Sequence, residues 1–262
     1  MNASTYIQQC LGSALESSWF ILSESPQSTP FLSKLSSQQL ITLPCSDSLL
    51  INTAIGMGIS GTRTFVCMST DQEKSSLFAL LQEEQYGPEF SLPIIFMVPS
   101  FQPPTLRPRH NTTYCRTGQQ LCTTINQALS TQTPQIICYN PAALFDTIQE
   151  EETKTARSAT LHSTGTHISL FVCGPDIEEA MEFAQTYDDV ELIELHSIQP
   201  LCQHSIRNSV QKTGRALLVN TPQDVTNEIL DSCFWHLEAQ IEHTTNHTTT
   251  HLTQLRSRLL EQ

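Results

Sequence analysis

Short apolar runs alternate with segments of helical period along nearly the whole chain. The apolar runs predict strands at residues 19–23, 63–68, 93–99, 135–139, 167–174, 190–195 and 215–220. Apolar residues spaced three or four apart predict helices at 5–16, 47–60, 72–85, 121–129, 177–184 and 201–213, and a long helix from about residue 222. Strands that alternate with helices are typical of a largely parallel sheet covered by helices, so the pattern predicts an α/β fold.

The alternation stops once, in the segment "TIQEEETKTARSATLHSTGT" that ends at residue 166. Charged and small polar residues replace the apolar runs there, which is typical of a linker. We therefore predict two domains, residues 1–148 and 167–262, joined by a linker at residues 149–166. Each domain is expected to be a mostly parallel sheet flanked by helices.

The charge and cysteine content narrow the classes of function. The chain has 26 acidic and 13 basic residues and a net charge of −13, which argues against nucleic acid or an anionic membrane as a partner. No apolar run approaches the roughly 20 residues of a membrane span, and no targeting segment is evident, so we expect a cytoplasmic protein. The nine cysteines form no CxxC pair, which favours reduced, mostly buried thiols over a zinc site.

One carboxylate stands directly before the apolar part of the predicted helix 47–60. In "PCSDSLLINTAIGMGISGTR", which begins at residue 44, Asp47 follows Ser46 and precedes a run of mostly apolar and very small residues. An acid in the first turn is favoured by the helix dipole, and Ser46 with Asp47 forms an ordinary N-cap region. A carboxyl group in an apolar cleft could instead hold and share a proton. The residue pattern alone leaves both roles open and favours the cap.

Three further features favour a structural role over a chemical one. His243, His247 and His251 are spaced four apart, but the Thr-rich sequence between them favours a frayed polar tail over a metal-binding helix. In "CGPDIEEA" a strand, a turn and a helix start could hold an anion, yet Asp176 in that turn favours capping. Cys67 ends a predicted strand and is expected to be a buried thiol. We predict no metal site in this chain.

The segment "VELIELHSIQPLCQHSIRNSVQKTGRALLVN", residues 190–220, carries the strongest resemblance to a known family. Leu195, Pro-Leu at 200–201, Ser-Val at 209–210 and Lys-Thr-Gly-Arg at 212–215 match the C-terminal domain of transketolase-like enzymes. The segment most resembles the beta subunit of the thiamine-diphosphate-dependent first component of 2-oxoacid dehydrogenase complexes, such as the pyruvate and branched-chain complexes.

The opening half of the chain is similar to the same family. Residues 44–63 fall in register with the family segment that begins the helix lining the aminopyrimidine pocket, and Asp47 stands at the position of its glutamate. Residues 6–24 resemble the N-terminal stretch of the family. The helix is also similar to one in the pyruvate:ferredoxin oxidoreductase family, although the KTGR segment favours the dehydrogenase.

The resemblance implies a thiamine diphosphate site in which four residues of this chain take part. Asp47 would be a catalytic and cofactor-binding residue, Leu50 and Met68 would line the aminopyrimidine, and His110 would serve the substrate. The family pattern differs here, because its glutamate is one methylene longer and its aromatic residues become Leu50 and Met68. His110 lacks the glycines and the glutamine of the family's histidine segment.

The resemblance also implies partners. An alpha-type subunit would supply the diphosphate and magnesium half of the site in a heterotetramer, with self-association through the C-terminal domain and an acyltransferase core as a further partner. The predicted function is the oxidative decarboxylation of a 2-oxoacid such as pyruvate. Two alternatives stay open: a degenerate, non-catalytic homologue with a structural or regulatory role, and half of a transketolase-like or ferredoxin-linked thiamine enzyme.

Overall fold

The structure of the chain is a computed structural model that describes residues 1–17, 19–23, 29–33, 35, 38–43, 47–68, 92–103, 111–149, 158–245 and 248–261. The chain divides into two compact units, Met1–Phe101 with Pro108–Ala156, and Gln102–Arg107 with Arg157–Gln262. Within the described ranges, no helix has the length and apolar content that a bilayer crossing requires.

The first unit contains a parallel sheet with helices packed on it. Its strands are β1 (Trp19–Ser23), β2 (Leu40–Thr42), β3 (Arg63–Cys67), β4 (Ile94–Pro99), β5 (Asn111–Cys115) and β6 (Gln135–Tyr139). They pair in the order β5-β6-β4-β3-β1-β2, and each of these pairs is parallel. Its described helices are α1 (Ala3–Glu16), α2 (Asp47–Ile59) and α3 (Gly118–Leu129), and a 3₁₀ helix spans Pro141–Phe145. Strand β4 is buried along nearly its whole length, as expected for a strand covered on both faces.

Local sequence explains where α3 begins. The Thr117 hydroxyl accepts a hydrogen bond from the Gln120 backbone N–H, and the Gln120 side chain accepts one from the Thr117 N–H, which completes a capping box. At Gly118 an added Cβ would lie 2.6 Å from the Ala143 carbonyl oxygen, so the helix start fits closely against the Pro141–Phe145 turn.

The second unit contains a smaller mixed sheet. The strands of this unit are β7 (Ala159–Ser163), β8 (Ile168–Val172), β9 (Val190–Leu195), β10 (Ser197–Gln199), β11 (Ala216–Val219) and β12 (Glu242–Thr244). Five of them pair in the order β12-β11-β8-β9-β7, with β7 antiparallel to β9 and the other pairs parallel. The helices are α4 (Ile177–Thr186), α5 (Gln203–Thr213), α6 (Gln223–Cys233) and α7 (Thr249–Glu261), and a 3₁₀ turn spans Phe234–His236.

The α/β fold with two mostly parallel sheets is confirmed, but the C-terminal part differs from the prediction. The expected long helix from residue 222 ends at Cys233, and β12 separates it from α7. The prediction of a frayed polar tail is also wrong. Leu252, Leu255 and Leu259 form a buried face on α7, and this spacing stabilises a helix despite its Thr-rich start.

Other parts of the chain adopt structure that the pattern does not indicate. Strand β7 lies inside the predicted linker 149–166, where Ala159–Ser163 pairs with β9 at the edge of the second sheet. Strand β5, "NTTYC", is too polar and too short to stand out as an apolar run. The helix predicted at residues 72–85 and the residue His110 lie outside the described residues.

Candidate functional site

Helix α2 is held against the first sheet by one apolar face. Leu50, Ile51, Ala54 and Ile55 on this face are buried. The helix ends in a left-handed Gly61, φ +81°, after which the chain enters β3. The Gly61 N–H bonds the carbonyl three residues back, and the next N–H bonds the carbonyl five residues back, which is a Schellman motif. The glycine therefore fixes how α2 is joined to β3.

The carboxyl ends of four neighbouring strands, β3, β4, β6 and β5, meet at one edge of the first sheet. The Met68 N–H, just after β3, donates to the Met97 carbonyl at 3.0 Å. The Ser100 N–H, just after β4, donates to the Tyr139 carbonyl at 2.7 Å. Ligands of open α/β sheets bind outside the carboxyl ends of the strands. This edge is therefore the candidate site, and we call it the carboxyl edge.

Three titratable side chains that the structure describes at the carboxyl edge are held in their neutral forms. Burial raises the pKa of the Cys67 thiol far above its ordinary value. Burial, with a smaller contribution from Cys67, does the same for the pKa of the Tyr139 phenol. At Cys115 burial raises the pKa to about 12, although the hydrogen bond with the Thr124 hydroxyl has the opposite effect. Near neutral pH these three groups carry no charge, so the two thiols are not nucleophiles. The expectation that Cys67 is buried is confirmed.

The structure describes the four predicted site residues to different extents. Leu50 is 0% exposed and Met68 is 6% exposed, so both side chains already pack within this chain. Asp47 is the first residue of α2, and its side chain lies outside the described part of the chain. His110 also lies outside the described residues. The four roles therefore stay predictions.

The predicted histidine row and the Asp176 turn are accounted for by the fold. His243 lies in β12 and His251 in α7, so these two residues are not on one helix, while His247 lies outside the described residues. In the described part of the chain, no three His, Cys, Asp or Glu side chains are arranged to hold a metal ion. Asp176 is buried but its side chain does not cap α4, which corrects that expectation. Its carboxylate accepts a hydrogen bond from the Asn220 side chain instead.

The second unit contains a cluster of buried polar side chains that the sequence pattern does not predict. The Glu194 Oε2 atom lies 2.8 Å from His162 Nε2, and the other Glu194 oxygen lies 3.7 Å from His196 Nδ1. The second His196 nitrogen contacts the Thr160 hydroxyl at 2.8 Å. A signal is present in the sequence, because Glu194 and His196 stand two residues apart at the end of an apolar strand, where such residues face the same side of the sheet.

The segment Lys-Thr-Gly-Arg at 212–215 lies at the end of α5, and its side chains bind two glutamates of the second unit. Lys212 pairs with the buried Glu191 of β9. Gly214 has φ +70°, and an added Cβ would lie 2.9 Å from Glu238. The Arg215 guanidinium donates to the Glu238 carboxylate at 2.6 Å. The glycine therefore makes room for the Glu238 side chain that Arg215 binds.

Cys202, immediately before α5, differs from the buried cysteines. Burial raises the pKa of its thiol, but hydrogen bonds from Ser158 and Ser205 outweigh that effect and hold the pKa below the ordinary value. Its sulfur lies 3.1 Å from the Ser205 hydroxyl oxygen. Cys202 is therefore closer to a reactive thiolate than the cysteines of the carboxyl edge.

Comparison with known proteins agrees with the geometry at the level of fold. No family model matches the chain. The pyruvate dehydrogenase E1 component subunit beta of Staphylococcus aureus, from strains MW2 and COL, is 32% identical over 104 residues. These residues are 36% of this chain and 32% of the relative, so the match spans about a third of the length of the curated relatives. A solved structure described as a split gene transketolase, inactive beta4 tetramer, matches 92% of this chain and 86% of its own, with a TM-score of 0.67 and 13% identity.

Proposed function

We propose that this chain, which resembles a shortened pyruvate dehydrogenase E1 beta subunit and has a transketolase-like fold, is one half of a thiamine diphosphate enzyme. Its specific role would be that of the beta-type subunit of a 2-oxoacid dehydrogenase. It would provide the aminopyrimidine side of a cofactor site, and an alpha-type subunit would provide the rest. The observation that carries this proposal is the position of Asp47 at the start of α2. This helix is followed by β3, whose carboxyl end lies at the carboxyl edge.

The described residues fit the aminopyrimidine half of such a site. A carboxyl group that shares a proton with the pyrimidine ring needs apolar, uncharged surroundings. The carboxyl edge supplies them, because Cys67 and Tyr139 are neutral near pH 7 and Leu50 and Met68 are apolar. The proposal assigns the metal and the diphosphate to the partner subunit.

Each residue has a defined task under this proposal. Thiamine diphosphate, when bound, supplies the nucleophilic carbon and the electron sink for decarboxylation of the 2-oxoacid. Asp47 would hold a proton against the pyrimidine nitrogen, while Leu50 and Met68 would exclude water from this contact. His110 would orient the substrate carboxylate or donate a proton to the product. Because Asp47 is one methylene shorter than glutamate, and displacements near 1 Å can cost about 10²-fold in rate, we expect weak turnover.

One observation favours a second candidate, a homologue that keeps the fold and has lost the chemistry. A side chain that lines a cofactor shared with another chain is expected to present surface to that cofactor. Leu50 presents none and Met68 almost none, so their apolar surface stabilises the core of this chain. A structural or regulatory subunit would need no more than this.

The test is co-expression of the full chain with a candidate alpha-type subunit, followed by calorimetric titration with thiamine diphosphate and magnesium. We expect binding that falls at least tenfold in Asp47→Ala and is retained in Asp47→Glu, which restores the longer side chain. Asp188→Asn removes an exposed carboxylate of the second unit and should leave the affinity unchanged. Binding that is identical in wild type and Asp47→Ala would refute the role of Asp47. Cofactor binding without 2-oxoacid turnover, in both the wild type and Asp47→Glu, would favour the second candidate.

The proposed assembly is a cytoplasmic heterotetramer in which the second unit also mediates self-association. The comparison structure is itself described as a beta4 tetramer, which supports association between copies of this chain. Sedimentation of the chain alone and with the alpha-type subunit would separate a homo-oligomer from a mixed one. Addition of a purified acyltransferase core would then test whether the assembly joins a dehydrogenase complex.

A further inference from the structure

The second unit exposes an aromatic pair at the end of α6. Phe234 is 56% exposed and Trp235 is 92% exposed, and their rings contact edge to face with centroids 5.3 Å apart. Leu230, one helical turn before Phe234, is also exposed. We call Leu230, Phe234 and Trp235 the aromatic patch. Large aromatic side chains are costly to leave in water, and they dominate the binding energy where proteins meet.

The backbone beneath the aromatic patch is firmly attached to the core. Cys233, just before the pair, is fully buried, and Leu237, just after it, packs against the same apolar cluster. The Leu237 N–H donates to the Phe234 carbonyl, and the Glu238 N–H donates to the Gly214 carbonyl at 2.8 Å. With both flanks fixed, the two rings are presented outward by a rigid turn. A rigid presentation lowers the entropy cost of binding.

Acidic side chains outnumber basic ones around the aromatic patch, although Arg207 pairs with Glu228 and Arg215 pairs with Glu238. Residues 216–255 contain no Lys or Arg and five acids. Asp231 is exposed, and within the described residues its side chain forms no hydrogen bond or ion pair. The Glu238 side chain is 62% exposed although Arg215 binds one of its oxygens. An apolar centre bordered by exposed carboxylates is complementary to an apolar group flanked by cations.

We propose that the aromatic patch is a docking surface for a basic partner segment, in which Arg or Lys residues stand on both sides of an apolar side chain. The apolar side chain would cover Trp235 and Phe234, while the cations would bind Asp231 and Glu238. A second copy of this chain is the less suitable occupant, because two patches brought together would place carboxylate against carboxylate. The proposal concerns residues of the second unit only, and it stands whether or not the chain binds thiamine diphosphate.

Tryptophan fluorescence gives a direct test, because the chain has two tryptophans and Trp19 is buried. In the Trp19→Phe background, emission reports on Trp235 alone. The probe is a synthetic peptide of alternating Arg and Leu, and its control has Glu in place of Arg. We expect the basic peptide to shift the emission to the blue, with a weaker affinity at high salt, and the acidic peptide to leave it unchanged.

Substitutions in and next to the aromatic patch test whether the peptide binds the proposed residues. Binding measured by calorimetry should weaken at least tenfold in Trp235→Ser, as for a central aromatic residue of an interface. It should weaken severalfold in Asp231→Asn at low salt. The matched controls Phe145→Ser, an exposed aromatic of the first unit, and Asp188→Asn should bind like wild type. Far-UV circular dichroism confirms that each variant is folded.

Three outcomes would overturn the proposal. The first is the absence of an emission shift with the basic peptide, and the second is equal binding of the basic and acidic peptides. The third is concentration-dependent self-association in sedimentation that disappears in Trp235→Ser, which would identify a second copy of the chain as the occupant.

Discussion

The substitution Gly214→Ala tests the role of the glycine that caps the C-terminus of α5. Gly214 has φ +70°, a left-handed conformation that costs an L-residue roughly 1–2 kcal/mol. The new Cβ would lie 2.9 Å from Glu238, so this side chain must move and its contact with Arg215 loosens. Since Glu238 is mostly exposed, that ion pair contributes at most about 1 kcal/mol. We expect a total loss of about 1–3 kcal/mol in the free energy of unfolding.

The matched control is Gly12→Ala, the same chemical change at a different site. Gly12 lies inside α1, and nothing lies within 4 Å of a Cβ added there. Alanine in a helix interior is about 0.5–1 kcal/mol more favourable than glycine, so this variant should be more stable than wild type.

Thermal and urea unfolding, followed by far-UV circular dichroism, would measure both variants. At this chain length 1 kcal/mol corresponds to roughly 2–4 °C in Tm. The expected result is therefore a Tm several degrees lower for Gly214→Ala and slightly higher for Gly12→Ala. Shifts of the same sign in the two variants, or an unchanged Tm for Gly214→Ala, would refute the role assigned to the left-handed glycine.

Two further predictions concern the relative reactivity of two thiols and an ion pair of the second unit. Because the pKa of Cys202 is lowered and that of Cys10 is raised, iodoacetamide near pH 7.5 should alkylate Cys202 faster than Cys10, which peptide mass mapping can follow. Faster labelling of Cys10 would contradict the assignment. Arg256 stacks on Tyr187 at 4.2 Å and binds both carboxylate oxygens of Asp189. Arg256→Lys keeps the charge but loses the planar fork and the stacking, and should cost about 1–2 kcal/mol in urea unfolding; a loss seen only in Arg256→Ala would show that charge alone matters.

The alternation of apolar runs and helical segments is enough to predict the α/β fold, because buried parallel strands such as β4 are continuously apolar. It fails where strands are short or polar, as at β5, whose pairing with β6 rather than its composition makes it a strand. It also fails after residue 233. There the aromatic turn and β12 interrupt a helical pattern that resumes in α7, and only tertiary pairing with β11 decides this.

The candidate site is harder to predict, since burial is a property of the fold and not of the motif. Register with a known family identifies Leu50 and Met68 but does not show that their side chains are already buried within this chain. The neutral Cys67 and Tyr139 at the carboxyl edge are not evident as a group from the sequence, because they come from strands far apart in the chain.

The two candidate functions make opposite demands on the same residues. If Leu50 lines a cofactor, α2 must move when the partner binds, because a side chain with no exposed surface has none to offer a ligand. If the chain has lost its chemistry, Leu50 and Met68 are ordinary core residues, and enlarging either one should only overpack the core, at roughly 1–3 kcal/mol. Met68→Phe restores the aromatic residue of the resembled family. If the chain is a working subunit, Met68→Phe should therefore improve the affinity for the cofactor in calorimetric titration with the alpha-type subunit present. If the chain has lost its chemistry, Met68→Phe should only lower the stability measured by urea unfolding.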